Sequence, residues 1–447
     1  MRGKRELPRK RNPLLVFLSV VFAAAVLLVV AFALAKQSAP SDNEAIEPEE
    51  PPVESLSVSM PEALPEPEQP AEKPAPPPEP QNRFVLSFLG DCTLSSSHYT
   101  GHFESVVGDD LAYPFSNVAE ILLADDLTLA NLECSFSEQR LESESQYAFC
   151  GQPKYARSLV LGGVECVSMG NNHTNDFGRA GVEHTAAILE QEQITGIQEN
   201  QGCCIDLQHE DGTTVRIGIY VRSMNGWTEQ IKQGVARLRE EGADIVIVCI
   251  HAGAERIYVP TKAQVALAHA AIDSGADLVV GTHSHILQPT ETYKDGEILY
   301  SLGNFCFGGN RGPSDMDTVI AQMILQVEEN GVSWEMEYIP CSISSVPNFN
   351  DYRPTPYEPG TKGYERCLKK LETPWDPTTA EEAAAAKAAA EAAKAAEEAA
   401  AQAAQEAEHA QTIGDEQVFG ELAAPEPEAK PAAGVMFVPL EPEEERH

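Results

Sequence analysis

Five apolar runs of strand length in this chain each end in residues that can hold a metal ion or move a proton. Residues 276–280 lead into Gly281-Thr282-His283-Ser284-His285, where the glycine marks the turn at the strand end. Residues 245–250 deliver His251, and residues 84–89 deliver Gly90-Asp91. Residues 127–130 deliver Asn131-Leu132-Glu133, and residues 164–169 deliver Gly170-Asn171-Asn172-His173. Two histidines spaced i, i+2 just past a strand can turn both rings toward one point, and neutral imidazole is the commonest metal ligand. Alone, His-x-His is short enough to be two polar loop residues. Its weight comes from the other four strand ends, because ligands of α/β proteins collect at the carboxyl ends of strands.

The rest of the 447-residue chain is too biased in composition to be all globular. Residues 1–13 are basic, with Arg2, Lys4, Arg5, Arg9, Lys10 and Arg11 against Glu6. Residues 14–35 are apolar apart from Ser19, long enough to span a bilayer as a signal-anchor helix with its positive flank in the cytoplasm. The competing reading is a cleaved signal peptide ending at Ala33-Leu34-Ala35. Both readings put the remaining chain outside the cytoplasmic membrane. Residues 36–82 are a Pro/Glu-rich tether that cannot bury a core. The formal net charge of -38 lies largely in the flanking segments, and no basic patch beyond the N-terminus suits nucleic acid.

Residues 83–347 alternate strand-like and helix-like runs, the βαβ pattern of an α/β domain. The spacing predicts helices over 117–124, 178–193, 228–241 and 261–274, the last with Thr261 as N-cap and Gly275 as stop. After His285 the pattern turns to strands without long helices between them, with Glu329-Asn330-Gly331 as a hairpin turn, so the sheet is mixed. Residues 348–377 have no clear period and read as a wrapping extension or a linker. Residues 378–411 are nearly all Ala, Glu, Lys and Gln, a helical segment without a stripe of large apolar residues, read as a solvated spacer. Residues 412–447 are an acidic, Pro-rich tail. The ten cysteines form no short framework; Cys166 and Cys249 fall inside strands, and Cys92 beside Asp91 is either a core thiol or a neighbour of the metals.

Asp91, Glu133, Asn172, His251, His283 and His285 together mix carboxylate, amide and imidazole, which suits a divalent ion such as Mn, Fe or Zn. Six ligands are enough for two ions, an arrangement that can activate water and stabilise both oxygens of a displacement. His173 is a candidate acid; otherwise it is a hydrogen bonder behind the ligands. Asp176 either orients His173 or caps the helix that starts beyond it. Glu255, in His251-Ala252-Gly253-Ala254-Glu255, and Asn304, in Ser301-Leu302-Gly303-Asn304, are candidate substrate-binding residues.

These motifs, taken in order with Gln288-Pro289 and Tyr300-Ser301-Leu302-Gly303-Asn304-Phe305, resemble the bacterial capsule synthesis protein CapA family over roughly residues 83–340. The resemblance implies a role in poly-γ-glutamate capsule synthesis and export. It also implies a likeness to the calcineurin-like metallophosphoesterases, and hence a four-layer α/β/β/α sandwich with mixed sheets. By position it makes the six residues above metal ligands and His173 the catalytic histidine. It leaves two functions in play: a metal-dependent hydrolase acting on a phosphoester or γ-glutamyl polymer, and a non-catalytic assembly or export component that binds anionic polymer. The implied partners are the polymer and the capsule synthase or export subunits. In two respects the sequence departs from the wider phosphoesterase pattern: Asp91-Cys92-Thr93 puts Thr93 where Asp-x-His has its histidine, and Glu133 stands where a bridging aspartate is expected.

Overall fold

The computed structural model describes residues 82–97, 102–139, 141–143, 145, 147–223 and 228–420. The basic segment, the apolar run over 14–35, most of the tether and the acidic tail beyond 420 lie outside them. Among the described residues no helix is long and apolar enough to cross a membrane.

In chain order the strands are β1 (Arg83–Thr93), β2 (Leu127–Leu132), β3 (Ser135–Phe136), β4 (Cys150–Gly151), β5 (Cys166–Ser168), β6 (Thr195–Ile197), β7 (Gly202–Gln208), β8 (Thr214–Ser223), β9 (Ile245–His251) and β10 (Leu278–Thr282). They continue with β11 (Thr290–Tyr293), β12 (Gly296–Leu299), β13 (Asn304–Phe307), β14 (Asp317–Glu328), β15 (Gly331–Ser342) and β16 (Thr355–Pro356). One mixed sheet has the order β16-β15-β14-β1-β2-β5-β6, with β13 also pairing β1; the other runs β11-β12-β10-β9-β8-β7. The longer helices are α1 (Gly178–Gln191), α2 (Thr228–Glu240), α3 (Lys262–Asp273), α4 (Lys362–Glu372) and α5 (Pro377–Gly420).

Strand alternation builds three cores. Phe84, Leu86 and Phe88 of β1 pack with Ile217 and Ile219 of β8, Ile245 and Ile247 of β9 and Leu278 and Val280 of β10, so the two sheets face each other. The intervening residues Val246, Val248 and Val279 point outward and are covered by Ile231, Val235 and Leu238 of α2 and Leu267 and Ala271 of α3. Beyond the first sheet, Leu89, Cys92, Ala130 and Val167 pack under Ile188 and Leu189 of α1 and the short helices near Phe103 and Leu159. Helices therefore accompany facing mixed sheets, the mixed α/β class expected from the sequence. The predicted helices fall within two or three residues of the observed ones, and Thr261 caps α3 through a reciprocal capping box with Gln264. The Glu329-Asn330 turn joins β14 to β15, whose pairing starts at Glu328 opposite Gly331.

Packing runs past residue 347. Asn350, Asp351 and Tyr352 are buried, β16 extends the first sheet, and α4 packs onto β15 and β14. Residues 348–377 therefore include segments packed against the sheets. Helix α4 buries only Gly363, Cys367 and Leu371, spaced i, i+4, i+8. One of these is a glycine, which is why no apolar period is visible.

Helix α4 is fastened by charge. Arg366 donates twice to the buried Asp317 carboxylate, at 2.6 Å each, and Lys370 bridges Asp315 and Asp317 at 2.5 and 2.7 Å. Burial alone would raise the Asp317 pKa, but these bonds outweigh it and hold the carboxyl below its ordinary range. A depressed folded pKa means that this stabilisation is present above the ordinary carboxylate range and disappears as pH falls through the folded value. Asp317→Asn is expected to cost about 2 kcal/mol at pH 7, below the ~3–5 kcal/mol of a fully buried pair because Arg366 is half exposed. In urea titrations the gap between mutant and wild type should narrow at acid pH; a gap independent of pH would contradict the assignment.

Candidate metal centre

Parallel pairing brings the strand ends to one place. Asp91 on β1 lies opposite Asn131 on β2 and Asn304 on β13, and Thr282 on β10 lies opposite His251 on β9. Two close backbone approaches need glycine. A Cβ on Gly90 would sit 2.0 Å from the Gly303 carbonyl oxygen, and one on Gly281 would sit 2.1 Å from that of Tyr300. The Asp91 amide donates to that same Gly303 oxygen at 2.9 Å, which aims the carboxylate inward.

All six proposed ligands converge. Glu133, His251 and His283 offer ligand atoms within 4.8 Å of one another, as do Asp91, Glu133 and His285. Asn172 Oδ1 lies 2.6 Å from His251 Nε2, which is itself 3.1 Å from His283 Nδ1. Glu133 Oε1 is 3.5 Å from His251 Nε2 and 3.9 Å from both His285 Nε2 and His173 Nε2. Yet neither oxygen of the Glu133 carboxylate, which is fully buried, has a hydrogen-bond partner. A buried carboxylate without a partner is among the costliest arrangements in a protein. Acceptor oxygens and imidazole nitrogens crowded around it are compatible with a divalent cation.

The electrostatics agree. Burial, then the like charge of Asp91, pushes Glu133 well above the usual carboxylate range. Burial would also raise Asp91, but the hydrogen bond and charge of His285 outweigh it and leave the carboxyl lowered. Burial pushes His251 well below the ordinary imidazole range, and burial with the charge of His285 lowers His283. His285 is disfavoured as a cation by burial, but Glu133 and Asp91 raise its pKa to about 10. Two neutral histidines suit metal ligation, whereas Glu133 and His285 would each give up a proton to a bound cation.

The supporting residues were less visible in the sequence. Asn131 Nδ2 donates to Asp91 Oδ1 at 2.8 Å, and Asn171 Nδ2 donates to the Leu132 carbonyl at 2.8 Å. The Thr282 hydroxyl meets His251 Nδ1 at 2.9 Å, where it can accept the ring proton and leave Nε2 a lone pair toward the cluster. Each lies inside a motif already noted, and that adjacency was the only signal. Asp176 meets His173 Nδ1 at 2.8 Å, whereas α1 has Phe177 as N-cap and no side-chain cap, so Asp176 contacts that ring and does not cap the helix. His173 also lies edge-on to Phe149 at 4.9 Å.

Asn304, a candidate for substrate binding, is buried; its Oδ1 meets His285 Nδ1 at 2.9 Å and its Nδ2 donates to the His285 carbonyl at 3.1 Å, so both ends of the amide engage that histidine. Cys92 points into the outer core, and burial pushes its thiol up to about 12, which removes it from the chemistry. Glu255 stands at the rim, close enough for its charge to raise the pKa values of Glu133 and His285.

The sequence profile of the family described as bacterial capsule synthesis protein PGA_cap matches residues 85–202 and 206–309, and the chain belongs to that family. The capsule biosynthesis protein CapA of Bacillus anthracis is 25% identical over 258 residues, covering 50% of this chain and 60% of that protein. The PGA biosynthesis protein CapA of Bacillus subtilis (strain 168) is 26% identical over 248 residues, covering 49% and 62%. A probable polyglutamine synthesis accessory protein of Mycobacterium tuberculosis is 25% identical over 228 residues, covering 44% and 60%. The chain thus spans about 60% of the length of these relatives. A crystal structure of TT1561 from Thermus thermophilus aligns with 56% of this chain and 98% of that one at 8% identity and a TM-score of 0.32, a likeness too slight to argue from.

If the cluster holds a cation, Glu133 is costly without one. Removing the charge in Glu133→Gln is expected to raise the melting temperature of the metal-free protein. In the same variant, the stabilisation that Mn²⁺ or Zn²⁺ gives wild type should vanish; that gain is about 2.7 kcal/mol at a hundredfold excess over Kd. Thermal melts with and without added metal read both effects, and an unchanged metal response in the variant would contradict the assignment.

Proposed function

We propose that this protein is a membrane-anchored, extracytoplasmic member of the poly-γ-glutamate capsule machinery, with a metallophosphoesterase-like α/β/β/α domain that acts as a metal-dependent hydrolase. The observation that carries the reading is the unpartnered, fully buried Glu133 carboxylate among His251, His283 and His285. Asp91, Glu133, Asn172 and the three histidines would hold one or two divalent ions (Mn, Fe or Zn). Such ions polarise a phosphoryl or carbonyl oxygen and lower the pKa of bound water. His173 supplies the proton. Asp176 fixes its Nδ1, so Nε2 faces the cluster, where it can donate to the leaving oxygen or nitrogen or stabilise developing charge. The substrate class is a phosphoester or the γ-glutamyl polymer itself.

The apolar run at residues 14–35, with its basic flank, supports the anchor, and the names of the relatives support the pathway. Synthase and export subunits are the partners this reading implies. One observation favours the second reading, a non-catalytic assembly component that binds anionic polymer. Thr93, whose hydroxyl donates to the Glu133 carbonyl at 3.3 Å, stands where the wider phosphoesterases carry a histidine, so one metal position is a ligand short.

His173→Ala separates the two. For a hydrolase it should lower turnover of a phosphodiester or of poly-γ-glutamate by roughly 10²–10⁴-fold while metal content is retained. Asp176→Asn should cost less, because the ring remains. Wild-type protein that is metal-loaded, binds polymer and turns over neither substrate would exclude the hydrolase and leave the assembly role.

A further inference from the structure

The Ala/Glu-rich helix α5 is not a free spacer along its whole length. Its start is pinned by Trp375, edge-on to Tyr300 at 5.1 Å, and by Ala380, which is fully buried. Ala380, Ala384, Lys387 and Glu391 follow at spacings of four, three and four, which is one face of a helix. Ala384 and Lys387 are less exposed than their neighbours, and Glu391 pairs with the domain.

That face lies on the loop leaving β9. Lys387 Nζ donates to the Glu255 carbonyl at 2.8 Å and lies 3.9 Å from its carboxylate. Glu391 pairs with Arg256 at 3.1 Å, and Glu381 pairs with Lys262 at 2.7 Å. On its inner side, the Arg256 amide donates to the Ser284 carbonyl at 2.7 Å, between the two histidines of the His-Ser-His turn. Arg256, His283 and His285 all have left-handed backbones, with φ of 60, 93 and 57°. Such conformations persist where surroundings hold them. Buried Gln288 donates to the Ile257 carbonyl from below at 2.7 Å; α5 is the clamp from above.

We propose that the first turns of α5 are a positioning element of the metal centre: Lys387 and Glu391 hold Glu255 and Arg256, and the Arg256–Ser284 bond passes that restraint to His283 and His285. The inference rests on the cluster being a metal site, and it assigns to the low-complexity helix a role that its composition does not reveal. Fibre-like spacing functions need only length; this role needs Lys387 and Glu391 at their positions.

The test uses the full-length chain. Hydrogen exchange is read at the Arg256 amide, and Mn²⁺ affinity is read by titration. Lys387→Ala with Glu391→Ala is expected to speed exchange at Arg256 and weaken Mn²⁺ binding by roughly fivefold, the upper end for exposed ion pairs. Arg256→Glu should do the same, and pairing it with Glu391→Arg should restore both readouts. Unchanged exchange and affinity in the Lys387→Ala, Glu391→Ala double variant would overturn the proposal, and so would faster exchange with unchanged affinity. A wild-type chain that takes up no Mn²⁺ or Zn²⁺ would instead overturn the metal reading, and Arg256 exchange would still report whether the clamp exists.

Discussion

A carboxylate sealed from water with no hydrogen bond to either oxygen is what the centre of this molecule is built around. Glu133 sits at the end of β2, inside a ring of imidazoles and beside a second buried carboxylate, Asp91. Protein interiors do not keep such a group unless something of opposite charge compensates it. Without a metal, His285, its pKa raised to about 10, supplies the compensation; a divalent ion would take over that role and leave the ring neutral to ligate. The flanking architecture serves this one group. Facing sheets bring five strand ends together, two glycines let backbones touch, and asparagines and a threonine fix the ligands in orientation.

The same constraint sorts the neighbours. Residues that meet in the cluster are acids, histidines and the amide of Asn172, and each is held from one step out: Asp91 by Asn131, His251 by Thr282, His285 by Asn304 and His173 by the carboxylate of Asp176. Support of this kind commonly decides whether ligands are preorganised. It also explains why a rim residue such as Glu255 and a distant helix can matter to the centre: the loops carrying the ligands are strained and need restraint from both sides.

The chain disclosed its ligands more readily than their supports. Asp91, Glu133, Asn172, His251 and the His283–His285 pair each end an apolar run, and a strand that stops at a ligand is a local signal. Asn304 was visible as a polar residue in a glycine turn, but its partner lies 19 positions earlier in a turn joined through a different strand, and no spacing encodes that. Helix α3 was readable because Thr261 and Gln264 form a capping box. Helix α4 was not, since its attachment is charge pairing to Asp317, 49 residues away. The docking of α5 was hidden for a further reason: alanine is a good helix former in solvent and in contact alike, so an alanine stripe does not announce which face is covered.

Diffraction from crystals of the purified protein, collected on either side of the Mn, Fe and Zn absorption edges, tests the central claim most directly. An anomalous peak bounded by Glu133, His251 and His283, alone or with a second bounded by Asp91, Glu133 and His285, is the result expected. Crystals soaked in each metal that show water or nothing between those side chains, with the Glu133 carboxylate still unpartnered, would contradict it.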